Sequence, residues 1–179
     1  MYRLSRYPAT EPYWTSEGRY RFDDPKGKSG AAAFGVLYVG HLPEVAFAES
    51  SIHENSRFNP GMGRFEVSDA DLRSRSLVTF KHPTRTRLSM VDLSGEALKA
   101  LGLNNDLSAG NRYGIPQLWS AAIHGARPDV DGLRFTSRQM NTSFCYAVFD
   151  RSGLVREDFE AMPDDLLDLL CAKFNVVPV

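Results

Sequence analysis

A chain of 179 residues, 42% of them hydrophobic, is the size of one ordinary domain with a sizeable core. Its formal net charge of -1 argues against a dedicated nucleic-acid binder, which carries a strongly basic surface. There is no apolar run long enough for a membrane span and no signal-peptide pattern at the polar start, so a cytoplasmic, membrane-free protein is expected.

In chain order, Tyr2 and Leu4 alternate with Arg3 and Ser5, which predicts a short strand over 2–6. Pro8 and Pro12 frame a loop carrying Tyr13 and Trp14, and Gly18-Arg19-Tyr20 and the small-residue stretch 26–30 follow. Residues 36–40 are short, β-branched and flanked by glycine, as a buried strand is. Residues 43–56 form a helix with proline in its first turn. On that helix Val45, Ala48, Glu49 and Ile52 fall at i, i+3, i+4 and i+7 and share one face, and His53 stands one turn after Glu49. A carboxylate on an apolar face must find a partner or a ligand. Pairing with a nearby arginine, or solvation at the helix edge, is one reading of Glu49; contact with a ligand is the other.

Residues 59–63 make a loop. Residues 64–68 and 77–80 read as strands joined by a turn over 69–76, and 86–93 as a further strand. Ser94 is placed to cap a short helix over 95–101 that Gly102 closes, and 103–114 is a polar, glycine-containing loop. Pro116 opens a helix whose apolar stripe is Leu118, Trp119, Ala122, Ile123 and Ala126, and Pro128 ends it. Residues 133–136 form a strand with Ser137 and Arg138 at its end, and 144–149, nearly all apolar, a central strand. The last helix covers about 163–174, with Asp164 and Asp165 in its first turn and Leu166, Leu167, Leu169, Leu170 and Phe174 on its core face. Strands and helices interspersed without a strict βαβ rhythm predict a single mixed α+β domain over 1–179.

The two cysteines, Cys145 and Cys171, lie in apolar segments and read as buried free thiols, a single disulfide being the alternative. His41, His53, His82 and His124 show no metal-ligand spacing, so no metal is expected. Gly27-Lys28-Ser29 matches the end of a phosphate-binding loop, but the upstream glycine is missing; a dinucleotide fingerprint and a nucleophile elbow are also absent. An arginine, a tyrosine, a glutamate and a serine at a strand end remain. Arginine binds phosphate bidentately, tyrosine stacks on planar rings, and a glutamate stabilises an oxocarbenium-like centre or holds ribose hydroxyls. Together these residue types suit a nucleotide whose glycosidic bond is broken.

Gly18-Arg19-Tyr20, Leu37-Tyr38, Ala46-Phe47-Ala48-Glu49 with His53, Ile115-Pro116-Gln117-Leu118-Trp119, and the run from Asp131 to Arg138, taken in order, resemble the RES domain family. The resemblance spans residues 2–150. The family is named for an arginine, a glutamate and a serine, which here correspond to Arg19, Glu49 and Ser137. The resemblance implies a core of β-strands flanked by helices, similar to ADP-ribosyltransferases, in a toxin of a bacterial type II toxin–antitoxin pair. It implies NAD as substrate, consumed by hydrolysis or phosphorolysis, or used to transfer ADP-ribose to a protein. It implies an Xre-type helix-turn-helix antitoxin as a separate chain blocking the active site, and it allows a homodimer within that complex. The implied catalytic residues are Glu49, Arg19, Tyr38 and Ser137. Arg19 would hold the pyrophosphate and Tyr38 the nicotinamide side, with His53 and Ser137 orienting ribose or phosphate. Two departures bear on the phosphate side: Tyr20 and Arg21 replace the usual tryptophan and asparagine, and the segment 26–33 is longer. A non-catalytic module that binds nucleotide or protein is the reading from another class.

Overall fold

The computed structural model describes residues 1–179 apart from the side chain of Glu54. Its strands are β1 (Tyr2–Ser5), β2 (Val36–Gly40), β3 (Arg57–Asn59), β4 (Arg64–Val67), β5 (Ser76–Lys81), β6 (Met90–Leu93), β7 (Gly132–Thr136), β8 (Phe144–Phe149), β9 (Val155–Ala161) and β10 (Val176–Pro178). Seven of them form one sheet in the order β6-β7-β8-β2-β1-β5-β9, and β10-β4-β3 form a second. Within the large sheet only β6 and β7 run parallel. The architecture is a mixed α/β single domain with helices against the seven-stranded sheet.

The short apolar run Val-Leu-Tyr-Val-Gly becomes β2, the middle strand, because its two faces meet different packing. Val36 joins one core cluster with Phe22, Val45, Leu133, Ala147 and Phe149. Leu37 and Val39 point the other way, to Val78, Phe80 and Val148. A third cluster gathers Leu4, Ala46, Phe47, Ile52, Leu72, Leu167 and Leu170. Phe22, Phe47 and Phe149 are fully buried at 0% exposure, and burial of such a side chain stabilises a fold by roughly 1.5–3 kcal/mol. At Gly40 the strand runs straight into the next helix. A Cβ there would stand 2.8 Å from the Ala46 nitrogen, so only glycine fits.

The helix over 43–55 follows, with Pro43 in its first turn. Its middle, Ala48–Ile52, is a π turn between two α segments. Val45 packs into the first cluster and Ala46, Phe47, Ala48 and Ile52 into the third, so the helix bridges the two. The single apolar face expected from spacing is therefore divided.

Several expectations are corrected. Residues 69–73 are a helix rather than a turn, with the Ser68 hydroxyl accepting from the Asp71 N–H. The polar loop 103–114 contains the helical turn Asp106–Ala109. Ser94 occupies the N-cap position of the helix Gly95–Ala100 as expected, but its hydroxyl makes no capping bond and donates to Asp92 at 2.6 Å instead. The helix Gly114–Ala126 buries Pro116, Gln117, Ser120 and Ile123, while Leu118 is 62% exposed and Ala122 and Ala126 face solvent. Its inward polar groups bond backbone carbonyls of the 18–22 loop, which repays their burial. In the helix Asp164–Phe174, Leu167, Leu170 and Cys171 face inward and Leu169 is exposed. Cys145 and Cys171 are both free and buried. Among the described residues no helix is long and apolar enough to cross a membrane.

Candidate functional site

Glu49 sits in the π turn, a feature that recurs at functional sites. Its Oε1 accepts three hydrogen bonds: from the Ser137 hydroxyl at 2.6 Å, from Arg138 N–H at 2.9 Å and from Gln139 N–H at 3.2 Å. The donors come from the turn that ends β7. Ser137 is 1% exposed, and its oxygen accepts in turn from the N–H groups of Gln139 and Met140. The Cys145 thiol also stands within hydrogen-bonding reach of the carboxylate. Backbone and hydroxyl donors thus fix the carboxylate through Oε1.

A second built element is the loop over 18–23. Asp23 is 0% exposed and collects it. Its Oδ2 accepts from Arg19 N–H at 3.0 Å, Tyr20 N–H at 2.9 Å and the Thr15 hydroxyl at 3.3 Å, and its Oδ1 accepts from the Tyr38 hydroxyl at 3.0 Å. From the other side Gln117 donates to the carbonyls of Gly18 and Tyr20, and Ser120 to that of Phe22. Pinned on both sides, the loop sends Arg19 and Arg21 in opposite directions. Arg19 points outward, its side chain 75% exposed and paired with Glu17 at 2.7 Å. Arg21 points inward, with the residue 9% exposed. Its Nη1 donates to the carbonyls of Leu107 and Gly110, and its guanidinium lies over the Tyr113 ring at 4.8 Å. Burial lowers the Arg21 pKa, and the positive charge of Arg138 acts in the same direction.

The Tyr38 hydroxyl accepts from Phe22 N–H at 2.8 Å while donating to Asp23. Burial first, and the negative charge of Asp23 next, push its pKa well above the ordinary value, so it stays a neutral phenol. Burial likewise raises the pKa of Asp23. The Tyr38 ring stands edge-on to Tyr20, with centroids 5.8 Å apart. Tyr38→Phe would leave the Phe22 N–H and one Asp23 oxygen without their shared partner. It is expected to lower stability by about 1–3 kcal/mol, the cost of buried unsatisfied groups, read as a lower midpoint in thermal denaturation. An unchanged midpoint would mean that this hydroxyl does not hold the loop.

Glu49, Tyr38, Tyr20, Arg21, Arg138 and His53 meet around one cavity of about 610 Å³, which lies where the first and third core clusters join. That volume is in the range of small-molecule and cofactor sites. Among the lining residues, five arginines (Arg3, Arg6, Arg21, Arg75, Arg138) face two glutamates (Glu11, Glu49). Arg3 pairs with Glu11, and Arg6 and Arg75 with Asp71. Cys145 also lines the cavity; burial and then the charge of Glu49 push its thiol pKa up, so it is no thiolate nucleophile. Among the described residues no cluster of His, Cys, Asp and Glu is arranged to hold a metal.

The sequence-derived residues therefore separate. Glu49, Tyr38 and His53 line the cavity. Ser137 donates its hydroxyl proton to Glu49 and is not among the residues lining the cavity. Arg19 is on the outside. The His53 Nε2 lies 3.5 Å from Arg138 Nη1. Arg21, Asp23, Arg138 and Gln117 carry much of the geometry and went unassigned. Spacing offers no signal here, since residues two apart in an extended chain share a side, whereas Arg19 and Arg21 diverge.

The family model for the RES domain matches residues 1–166. The chain belongs to the RES domain family. A chain in the crystal structure of the M. tuberculosis MbcT-MbcA toxin-antitoxin complex shares the fold of this RES domain, with a TM-score of 0.65 and 18% sequence identity, over 96% of this chain and 87% of that one. No curated protein matches the sequence. Of the three residues in the family's name, this RES domain joins glutamate and serine directly, while the arginine that follows Gly18 lies apart from them.

Proposed function

We propose that this RES domain is the toxin of a toxin–antitoxin pair and consumes NAD by breaking the nicotinamide–ribose bond. The observation that carries the reading is Glu49, fixed through Oε1 at the wall of a cavity with an arginine excess. When the C1′–N bond breaks, its electron pair leaves with nicotinamide and positive charge develops on the ribose carbon and ring oxygen. A carboxylate already held in place stabilises that charge more than it stabilises neutral ribose, and needs no reorganisation as the charge appears. An incoming water or phosphate forms the new C–O bond, and Oε2 is the acceptor for a proton released by water.

Arg21, rather than Arg19, takes the pyrophosphate in this reading, since it is the arginine of the 18–23 loop that lines the cavity. The Tyr38 ring covers the nicotinamide side and its hydroxyl stays with Asp23. The partner is an Xre-type antitoxin occluding the cavity; the MbcT-MbcA complex shows a chain of this fold paired with an antitoxin. A cytoplasmic setting agrees with two free thiols and with the NAD pool.

Incubating the purified protein with NAD is expected to release nicotinamide without any protein acceptor. Release that requires an acceptor, with labelled ADP-ribose appearing on it, would make the protein an ADP-ribosyltransferase. NAD binding without turnover would make it a binding module.

A further inference from the structure

Two cavity arginines stand apart from the rest in having no carboxylate partner among the described residues. Arg3 is paired with Glu11, and Arg6 and Arg75 share Asp71. Arg21 is seated on neutral carbonyls, and Arg138 donates from Nη2 to the Asn111 side-chain oxygen at 2.9 Å. One short stretch serves both: Leu107, Gly110 and Tyr113 hold Arg21, and Asn111 holds Arg138. The two cations are near enough that the charge of Arg138 depresses the Arg21 pKa. Like charges brought together in a partly dry cavity repel, and the charge of Glu49 acts on Arg21 more weakly than that of Arg138, so the repulsion is offset only in part. Such a pair is stabilised when an anion lies between the guanidinium forks.

We infer that Arg138 and Arg21, presented by residues 107–113, form a two-arginine site for a diphosphate group beside Glu49. The assignment rests on the NAD reading only for the identity of the diphosphate. Arg138 is exposed and lines the cavity, so it is available to a ligand. Its two functions are chemically separate. The backbone N–H fixes Glu49 and survives every substitution but proline, whereas the guanidinium serves the anion. Loss of the side chain should therefore affect binding and leave the bond-breaking step nearly intact.

The test measures binding of inorganic pyrophosphate and of NAD by calorimetry, with NAD turnover alongside, in the parent, Arg138→Gln and Asn111→Asp proteins. Arg138→Gln is expected to weaken both ligands at least about tenfold and to raise the KM for NAD in step, with kcat within about threefold, because one charge-assisted pair is lost and Glu49 stays anchored. Asn111→Asp leaves Arg138 in place but gives it a carboxylate partner, so it should weaken both ligands in the same direction, an effect that mere loss of packing would not produce. Arginine-dependent binding of pyrophosphate by a protein that ignores NAD would uphold the site and remove the NAD reading. Parental affinity for both ligands in Arg138→Gln, or a parent protein that binds neither, would overturn the site.

Discussion

Glu49→Gln is expected to lower NAD turnover by at least about a hundredfold while leaving NAD binding and the fold in place, the scale on which one preorganised charged group acts. The geometry is specific about why. The three donors that meet Glu49 Oε1 can be satisfied equally by a glutamine carbonyl. The amide would then occupy the position of Oε2, replacing a negative acceptor with a neutral donor at the place where positive charge develops. Because the anchor is retained, the loss should fall on kcat and not on KM. Nicotinamide release, NAD affinity and the thermal midpoint together check this, and the variant should also relieve toxicity when expressed without antitoxin. A folded Glu49→Gln protein working at the parental rate would place the chemistry elsewhere.

What the sequence revealed follows from which forces are local. The strand 36–40 and the helix after Pro43 were legible because glycine, proline and apolar periodicity act over a few residues. Glu49 stood out for the same reason, as a carboxylate among Val45, Ala48 and Ile52. The π turn that carries it has no such signature. β3 and β10 are three residues each and exist only through pairing with β4. β9 is an edge strand of Val-Arg-Glu-Asp-Phe-Glu-Ala, charged as free edges are, so no alternation marks it. The helix over 114–126 was found, but its face was assigned by apolarity, whereas Gln117 and Ser120 point inward to carbonyls nearly a hundred residues earlier. Ser137 was visible as a strand end; its task of holding a carboxylate on a distant helix was not.

The same non-local contacts decide between Arg19 and Arg21, and the second large effect is expected there. Arg19→Ala removes a surface pair with Glu17 and should leave NAD use within about fivefold, since such pairs are worth about 0–1 kcal/mol. Arg21→Met should lower kcat/KM for NAD by at least about thirtyfold, or ~2 kcal/mol, through loss of charge-assisted bonding to the pyrophosphate. It should also destabilise the protein by about 1–3 kcal/mol, because the carbonyls of Leu107 and Gly110 lose their buried donor. Arg21→Lys separates the two effects. A single ammonium keeps the charge but cannot reproduce the planar fork that meets two carbonyls, lies over Tyr113 and faces a phosphate, so lysine should recover part of the stability and little of the turnover. Thermal midpoints and NAD kinetics on the three variants check this. If Arg19→Ala abolished turnover and Arg21→Met spared it, the 18–23 loop would be turned the other way in the working protein, with Asp23 and Gln117 no longer setting its direction.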